Sequence, residues 1–285
     1  MSRVLALAVL AAVCFVGCTL VLSPDEEQCA TNADCEARGL VGGVCNDENV
    51  CEEDPVWGCL GHVTDETADP SKKVEVTLQF VLAVDGSPAP TDLDIDVCDT
   101  LDLDCTGGNP DLPKDLHPDS EGYATATVPE GFAGFVRMTH PDLVDSRLFV
   151  GRPVFAQPPY NLVRLLQPSD IDLLSNFAKV PIDADRGVAI LVALDCGGVR
   201  AGGVSFTCST ADDKTTEFYL RNNFPVQPPD ATATDVDGFG GYANLPEGGV
   251  VAESIRAADG AFIGRSTFQI FPNTVSYVLI GPSPQ

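Results

Sequence analysis

From Val74 the chain alternates: Val74, Val76, Leu78, Phe80, Leu82 and Val84 are apolar, while Glu75, Thr77 and Gln79 between them are polar. A period of two carried by β-branched residues predicts a half-buried strand. A second run of this kind puts Val188, Ile190, Val192 and Leu194 on one face. After each run, short apolar stretches recur with Gly, Pro and Asp between them, the spacing of an antiparallel sandwich. Between the two halves the period breaks at Gln167-Pro168-Ser169-Asp170-Ile171-Asp172-Leu173-Leu174. Ser169 with Asp172 three residues on approximates a capping box, and Leu173, Leu174 and Phe177 form one apolar stripe. A short helix over about 170–178 is expected, with a loop as the alternative.

The halves match each other. Asp85 to Cys98 and Asp195 to Cys208 have equal separations. Asp119-Ser120-Glu121-Gly122-Tyr123 corresponds to Asp235-Val236-Asp237-Gly238-Phe239, and Pro129-Glu130-Gly131 to Pro246-Glu247-Gly248. Asp-x-x-Gly offers the turn backbone a side-chain acceptor and then a glycine that tolerates positive φ; an aromatic follows to open the next strand. A repeat of roughly one hundred residues therefore predicts two copies of one domain. The Asp-x-x-Gly-aromatic and Pro-x-Gly pattern resembles the carboxypeptidase regulatory-like domain, over most of 74–166 and 187–281. That resemblance implies a transthyretin-like sandwich of about seven strands that serves as a folding, spacing or binding module. It brings no catalytic residues with it.

The amino terminus has a different character. One basic residue, Arg3, precedes an apolar run from Val4 to Leu22, the layout of a signal peptide. The run closes on Phe15-Val16-Gly17-Cys18, which resembles the lipobox of bacterial lipoproteins, with Phe15 where Leu is usual. The resemblance implies cleavage after Gly17 and a diacylglycerol on the Cys18 thiol. Cys14 is no rival, because Val13 before it is too large for the cleavage subsite. The alternative is a plain membrane anchor, for which nineteen apolar residues are barely long enough. Either way Arg3 stays inside and the remainder is exported. Thr19, a non-acidic residue after the lipidated cysteine, implies the outer membrane by analogy with lipoprotein sorting. Residues 19–28, with Pro24 and Asp25-Glu26-Glu27, read as a flexible tether.

Composition sharpens this picture. Forty-two acidic residues stand against sixteen basic ones, a net charge of −26. Such a surface repels nucleic acid and anionic headgroups. Of eleven cysteines, nine remain once Cys14 and Cys18 are set aside. Cys29, Cys35, Cys45, Cys51 and Cys59 cluster; Cys98 lies near Cys105, and Cys196 near Cys208. In an exported chain these are disulfide candidates. Residues 29–59 have too little apolar surface to offset chain entropy alone, so bridges must supply the difference. The stretch around Cys29-Ala30-Thr31-Asn32-Ala33-Asp34-Cys35 is similar to the short Cys-rich modules of myxobacterial lipoproteins. Zinc is the competing use of these cysteines, but no CxxC and no histidine lies within the cluster. Nine is odd: Cys59 is the extra member of its cluster, either free or bridged outward, for example to Cys98 or Cys105.

Candidate chemistry is sparse. GxSxG, HExxH, a Walker loop and a helix-opening GxGxxG are all absent. His62, His117 and His140 have no sequence-local partners; His140, beside Val136 and Met138, reads as a partly buried structural residue. One run is unusual, Asp92-Leu93-Asp94-Ile95-Asp96-Val97. Its three aspartates project from one strand face while Leu93, Ile95 and Val97 point inward. They are weak calcium candidates. An EF-hand is excluded, because Val97 and Leu103 stand where its glycine and glutamate belong. The simpler reading is a solvated face whose acids oppose edge pairing.

The expectation is a mainly β protein: two tandem antiparallel β-sandwich domains preceded by a small disulfide-rich module. The divisions are a signal peptide (1–17), a lipidated tether (18–28), a Cys-rich module (29–62), a first sandwich (63–168), a helical linker (169–186) and a second sandwich (187–285). The expected function is non-catalytic display of the sandwiches for binding, adhesion or envelope assembly. The lipid anchor would hold them to the outer membrane, on its periplasmic or cell-surface face. Expected partners are the membrane and an envelope protein or polysaccharide; no cofactor is expected. The competing functions are a calcium- or glycan-binding module and a hydrolase with its site between domains. Glycan binding has little aromatic support, since Trp57 is the single tryptophan.

Overall fold

The computed structural model describes residues 28–40, 43–107, 109–178, 180–222 and 224–284. The leader, Cys14, Cys18 and the tether up to residue 27 lie outside the described residues. No helix among the described residues is long and apolar enough to cross a membrane. The described chain forms two compact units that divide between Asp54 and Pro55.

The first unit is small: helix α1 (Asn32–Ala37) and a hairpin of β1 (Gly43–Cys45) and β2 (Cys51–Glu53). Helix α1 starts where Thr31 and Asp34 form a capping box. The Asp34 carboxylate accepts from the backbone N–H groups of Ala30 and Thr31 at 2.9 and 2.8 Å. Those bonds hold its carboxyl below the usual carboxylate range. Two disulfides, Cys29–Cys45 and Cys35–Cys51, stand in for an apolar core.

The second unit is mainly β. Its first half contains β3 (Lys73–Leu82), β4 (Asp94–Cys98), β5 (Tyr123–Pro129), β6 (Phe135–Thr139), β7 (Ser146–Phe149) and β8 (Leu162–Leu165). Helix α2 (Pro168–Ala178) follows. The second half contains β9 (Gly187–Ala193), β10 (Val204–Cys208), β11 (Thr216–Arg221), β12 (Phe224–Val226), β13 (Phe239–Leu245), β14 (Gly248–Arg256), β15 (Phe262–Ile270) and β16 (Val275–Ile280).

Strand order exposes the duplication. In the first half one sheet runs β5-β3-β8 and another β4-β6-β7; in the second the matching orders are β13-β9-β16 and β10-β14-β15. In both halves the first strand is central and pairs parallel with the last, β3 with β8 and β9 with β16. Two differences separate the copies. The second half adds β11 and β12 outside β13. Its closing strand β16 also pairs along six residues of β9, whereas β8 pairs along only four of β3.

The halves are fused rather than strung in tandem. Strand β7 pairs parallel with β16 from Ser146↔Val275 to Phe149↔Val278, joining β4-β6-β7 to β13-β9-β16 in one eight-stranded sheet. The three parallel pairings also qualify the expected all-antiparallel sheets. Strand β9 records the consequence. All seven of its residues are buried, although its sequence was expected to bury one face. Val188, Ile190 and Val192 join one core with Phe80, Leu93 and Val163; Ala189, Leu191 and Ala193 join another with Phe206, Val250 and Ile263. Successive side chains of a strand point to opposite faces, so a core lies on each side of the large sheet. Small Ala189 and Ala193 alternate with larger Val and Ile, which lets a strand buried on both sides fit between two packed layers.

Helix α2 starts earlier than expected. Pro168, with no N–H and a preset φ, takes the first helical position. Asp170, not Ser169 with Asp172, then makes the cap, its carboxylate accepting from the Gln167 N–H at 2.8 Å. The side chains of Leu173, Leu174 and Phe177, the expected stripe, lie outside the described residues; Ile171 packs on the core.

Candidate functional site

Four disulfides place eight of the nine cysteine candidates. Besides the two in the first unit, Cys98 bonds Cys105 seven residues on, and Cys59 bonds Cys196 across 137 residues, with Cα separations of 5.3 and 5.8 Å. Cys208 is free and half-buried. Cys59 thus reaches neither Cys98 nor Cys105, and Cys196 and Cys208 do not pair despite their closeness in sequence. The reason is topological. Cys196 lies in the turn leaving β9, where the segment before Cys59 runs past, and its N–H donates to Val56 O at 3.0 Å. Cys208 ends β10 in a different sheet. It is the repeat's counterpart of Cys98, which ends β4; seven residues further on, the first copy has Cys105 and the second Thr215.

Among the described residues the one group of potential metal ligands is Cys29, Cys35 and Cys51. All three sulfurs are in disulfides, so no thiolate is left for zinc.

The aspartate run lies as its alternation predicts. Leu93, Ile95 and Val97 are 1–2% exposed, while Asp92 and Asp94 face solvent. Each carboxylate has its own partner. Asp92 accepts from His140 Nε2 at 3.2 Å, Asp94 lies 3.7 Å from His117 Nδ1, and Asp96 accepts from the Asp115 N–H at 3.1 Å. The His140 side chain is 8% exposed. The three acids do not converge on one point, as a calcium ion with six to eight oxygens at 2.3–2.6 Å would need. Added calcium is expected to leave the melting temperature unmoved; a rise abolished in Asp94→Asn would show otherwise. Asp96 also sits opposite Arg137, and Arg137 opposite Arg147. Burial and the neighbouring Arg137 pull the Arg147 guanidinium down to about 10, so it stays charged at neutral pH. It stacks on Phe271, 3.3 Å from the ring centroid, and donates to Leu103 O at 2.7 Å, pinning the loop that Cys98–Cys105 closes.

A cavity lies against the first sandwich, bordered also by Leu194, Gly198 and Leu279 of the second half. It holds about 330 Å³ and is lined by Val76, Leu78, Val128, Phe132, Leu148 and Tyr160, among others. It exists because β8 is short. Below Gln79, β3 loses its strand neighbour, and the Gln157 side chain takes that place, accepting from the Thr77 N–H at 2.7 Å and donating to Thr77 O at 3.0 Å. Val150 and the segment 152–160 line one wall of the cavity. Burial raises the Tyr160 hydroxyl to about 12 even with Arg200 and Arg164 nearby, so it stays protonated. None of the three histidines lines the cavity, and among the described residues no nucleophile–base pair faces it. Its chemistry suits holding an apolar group. Gln157-Pro158-Pro159-Tyr160 is the one local signal, a proline-stiffened segment too polar for a strand.

No family model matches the chain, and no curated protein matches it. Solved structures give distant likenesses. The TIE protein of Bacillus anthracis is 13% identical at a TM-score of 0.24, over 74% of this chain and 34% of that one. The chain thus spans about a third of that protein's length. The shaft pilin SpaA of Lactobacillus rhamnosus GG is 15% identical at 0.23, over 75% and 98%. A streptococcal ancillary pilin is 13% identical at 0.22, over 74% and 69%. At such TM-scores these proteins are β-rich company for the chain and carry no argument about its role.

Proposed function

We propose that the chain is an exported bacterial lipoprotein without catalytic activity, which displays its fused sandwiches for binding or envelope assembly. The observation that carries this is the disulfide framework. Four bridges, one spanning 137 residues, suit an oxidising compartment and would not persist in a reducing cytosol. The leader ending at Gly17 supplies the route out, and a lipid on the Cys18 thiol supplies the anchor. The outer membrane is the site proposed, by Thr19, with a protein or polysaccharide of the envelope as partner. The acidic surface disfavours nucleic acid. Carboxylates and histidines engaged in separate pairs, and a cavity without a nucleophile, favour display over hydrolysis.

Mass spectrometry of the amino terminus, with fractionation of the cells, tests this. The native protein is expected in the membrane fraction with a lipid-modified Cys18 at its start. Cys18→Ala should retain the leader or shed an unanchored protein. Recovery of the wild-type chain from the cytosol with reduced cysteines would refute the proposal.

A further inference from the structure

The duplicated fold contains its own comparison, and one edge differs. In the second half the outer edge of β13 is covered: β11 pairs antiparallel with it from Thr216↔Ala243 to Tyr219↔Gly240. In the first half the equivalent strand is β5, and among the described residues no strand pairs with its outer edge. Register and hydrogen bonds identify the open groups. Phe80 N–H donates to Gly122 O at 2.8 Å, so the even-numbered residues of β5 bond to β3. The odd-numbered residues point outward. Tyr123 is satisfied by Asp119, which donates to its carbonyl and accepts from its N–H. The N–H and C=O groups of Thr125 and Thr127 are left open among the described residues, and both residues are exposed.

The cysteines account for the difference. The link from β4 to β5 is tied back on itself by Cys98–Cys105 and then bonds along the edge of β4, through Ile95↔Leu116 and Val97 N–H to Pro113 O. It is held on the other sheet and cannot cover β5. The corresponding link in the second half lacks that bridge, Cys208 being free, and forms β11 and β12 instead.

Natural edge strands usually carry a charge or an interior proline that discourages pairing. Strand β5, Tyr-Ala-Thr-Ala-Thr-Val-Pro, carries no charge and only a terminal proline. We propose that the outer edge of β5 is a docking site for an extended segment of a partner polypeptide, which adds as an antiparallel strand in the place β11 occupies on β13. Main-chain bonds to Thr125 and Thr127 supply the pairing, and alternate side chains of the guest extend the sheet. Charge selects the guest. Asp119 and Glu121 precede the edge and exposed Glu75 stands opposite Thr127; at the far end Glu130 pairs with Lys72 and Lys73 with Asp111, so the border stays acidic on balance. A segment rich in aromatic and β-branched residues with basic flanks fits this border. A second copy does not: two β5 strands paired antiparallel would bring Asp119 and Glu121 of one beside Glu130 of the other, between chains of net charge −26. That the partner is exported rests on the display function proposed above; the docking edge does not.

The probe is a capped peptide with the chain's own sequence from 214 to 221, Lys-Thr-Thr-Glu-Phe-Tyr-Leu-Arg, offered to the full chain. At millimolar peptide, amide exchange at Thr125 and Thr127 is expected to slow roughly tenfold, with Ala124 and Ala126 unchanged because they already bond to β3. Thr125→Pro and Thr127→Pro each remove an outward N–H without breaking a main-chain bond to β3; Thr125→Pro also loses the exposed hydroxyl bond to Thr77 at 2.9 Å, so melting should stay near wild type in Thr127→Pro and fall only slightly in Thr125→Pro. Binding of labelled peptide should weaken at least about tenfold in either variant, and also when both basic ends of the peptide are made acidic. No protection at saturating peptide, or equal binding to both proline variants, would overturn the proposal. So would a dimer in sedimentation that Thr125→Pro dissolves, because the edge would then belong to a second copy. Since the peptide acts on purified protein, failure here is distinct from failure of export or anchoring.

Discussion

Replacing Cys59 and Cys196 together with serine, in a Cys208→Ala background, should be among the most destabilising changes the second unit can undergo. The bridge closes a loop of 137 residues. In the chain-entropy treatment a loop of that length contributes about 5 kcal/mol, against about 2.5 kcal/mol for the seven-residue loop of Cys98–Cys105. Folded domains hold only about 5–15 kcal/mol in reserve. The loss should therefore appear as a large fall in the urea midpoint, clearly larger than for the paired serine variant of Cys98 and Cys105. Removing Cys208 first prevents a free thiol from re-pairing during unfolding. Trp57 gives a local readout. It is the lone tryptophan, is 9% exposed, and sits two residues before Cys59 in a core cluster with Phe206 and Ile263. Its emission should shift to the red below the main transition once its segment is no longer held. Equal midpoints for the two double variants, with Trp57 emission unmoved, would mean that the long bridge adds little.

That bridge also marks a limit of sequence reading. The cysteine candidates could be read from composition, because they depend on counts. The partner of Cys59 could not, since it depends on which turn passes beside residues 55–59. The repeat was legible because its signals are local: Asp119 and Asp235 each cap a turn, and Gly122 and Gly238 each follow. The fusion was hidden because β7 and β16 meet edge to edge across more than one hundred residues, with nothing local to announce parallel pairing. The aspartates of 92–96 were correctly placed on an outward face by period alone. Their partners His140, His117 and the Asp115 amide required register, which the aspartates themselves do not encode. The cavity was out of reach for a similar reason. It follows from a closing strand two residues shorter than its counterpart, and strand ends are weakly specified by pattern. The open edge of β5 became visible only when one copy could be laid beside the other.

The turn glycines offer the sharpest test that the two halves are built alike. Gly122 has φ +85° and a Cβ there would lie 2.4 Å from Phe80 O; Gly238 has φ +73° and its Cβ would lie 2.9 Å from Ala193 O. In each copy that carbonyl is already fixed, accepting from Ala89 N–H at 3.0 Å in the first and from Ala201 N–H at 2.9 Å in the second. The residue bearing it donates back to the glycine carbonyl at 2.8 Å in both. Neither carbonyl can retreat without breaking two bonds in the first strand of its sandwich. An added methyl thus meets two costs, a left-handed backbone at about 1–2 kcal/mol and a clash with a held backbone atom. Gly86 separates them, because it has φ +70° with nothing within 4 Å of its Cβ. Gly86→Ala should lose about 1 kcal/mol, Gly238→Ala about 2 and Gly122→Ala about 3 or more, read from urea unfolding. The order carries the meaning. If all three lost the same amount, backbone conformation alone would explain the turns and the shared close approach would count for nothing. If Gly122→Ala unfolded as wild type does, the turn would not be anchored on Phe80. The ranked loss is expected because one Asp-x-x-Gly turn presses one glycine against the same carbonyl of the opening strand in each copy.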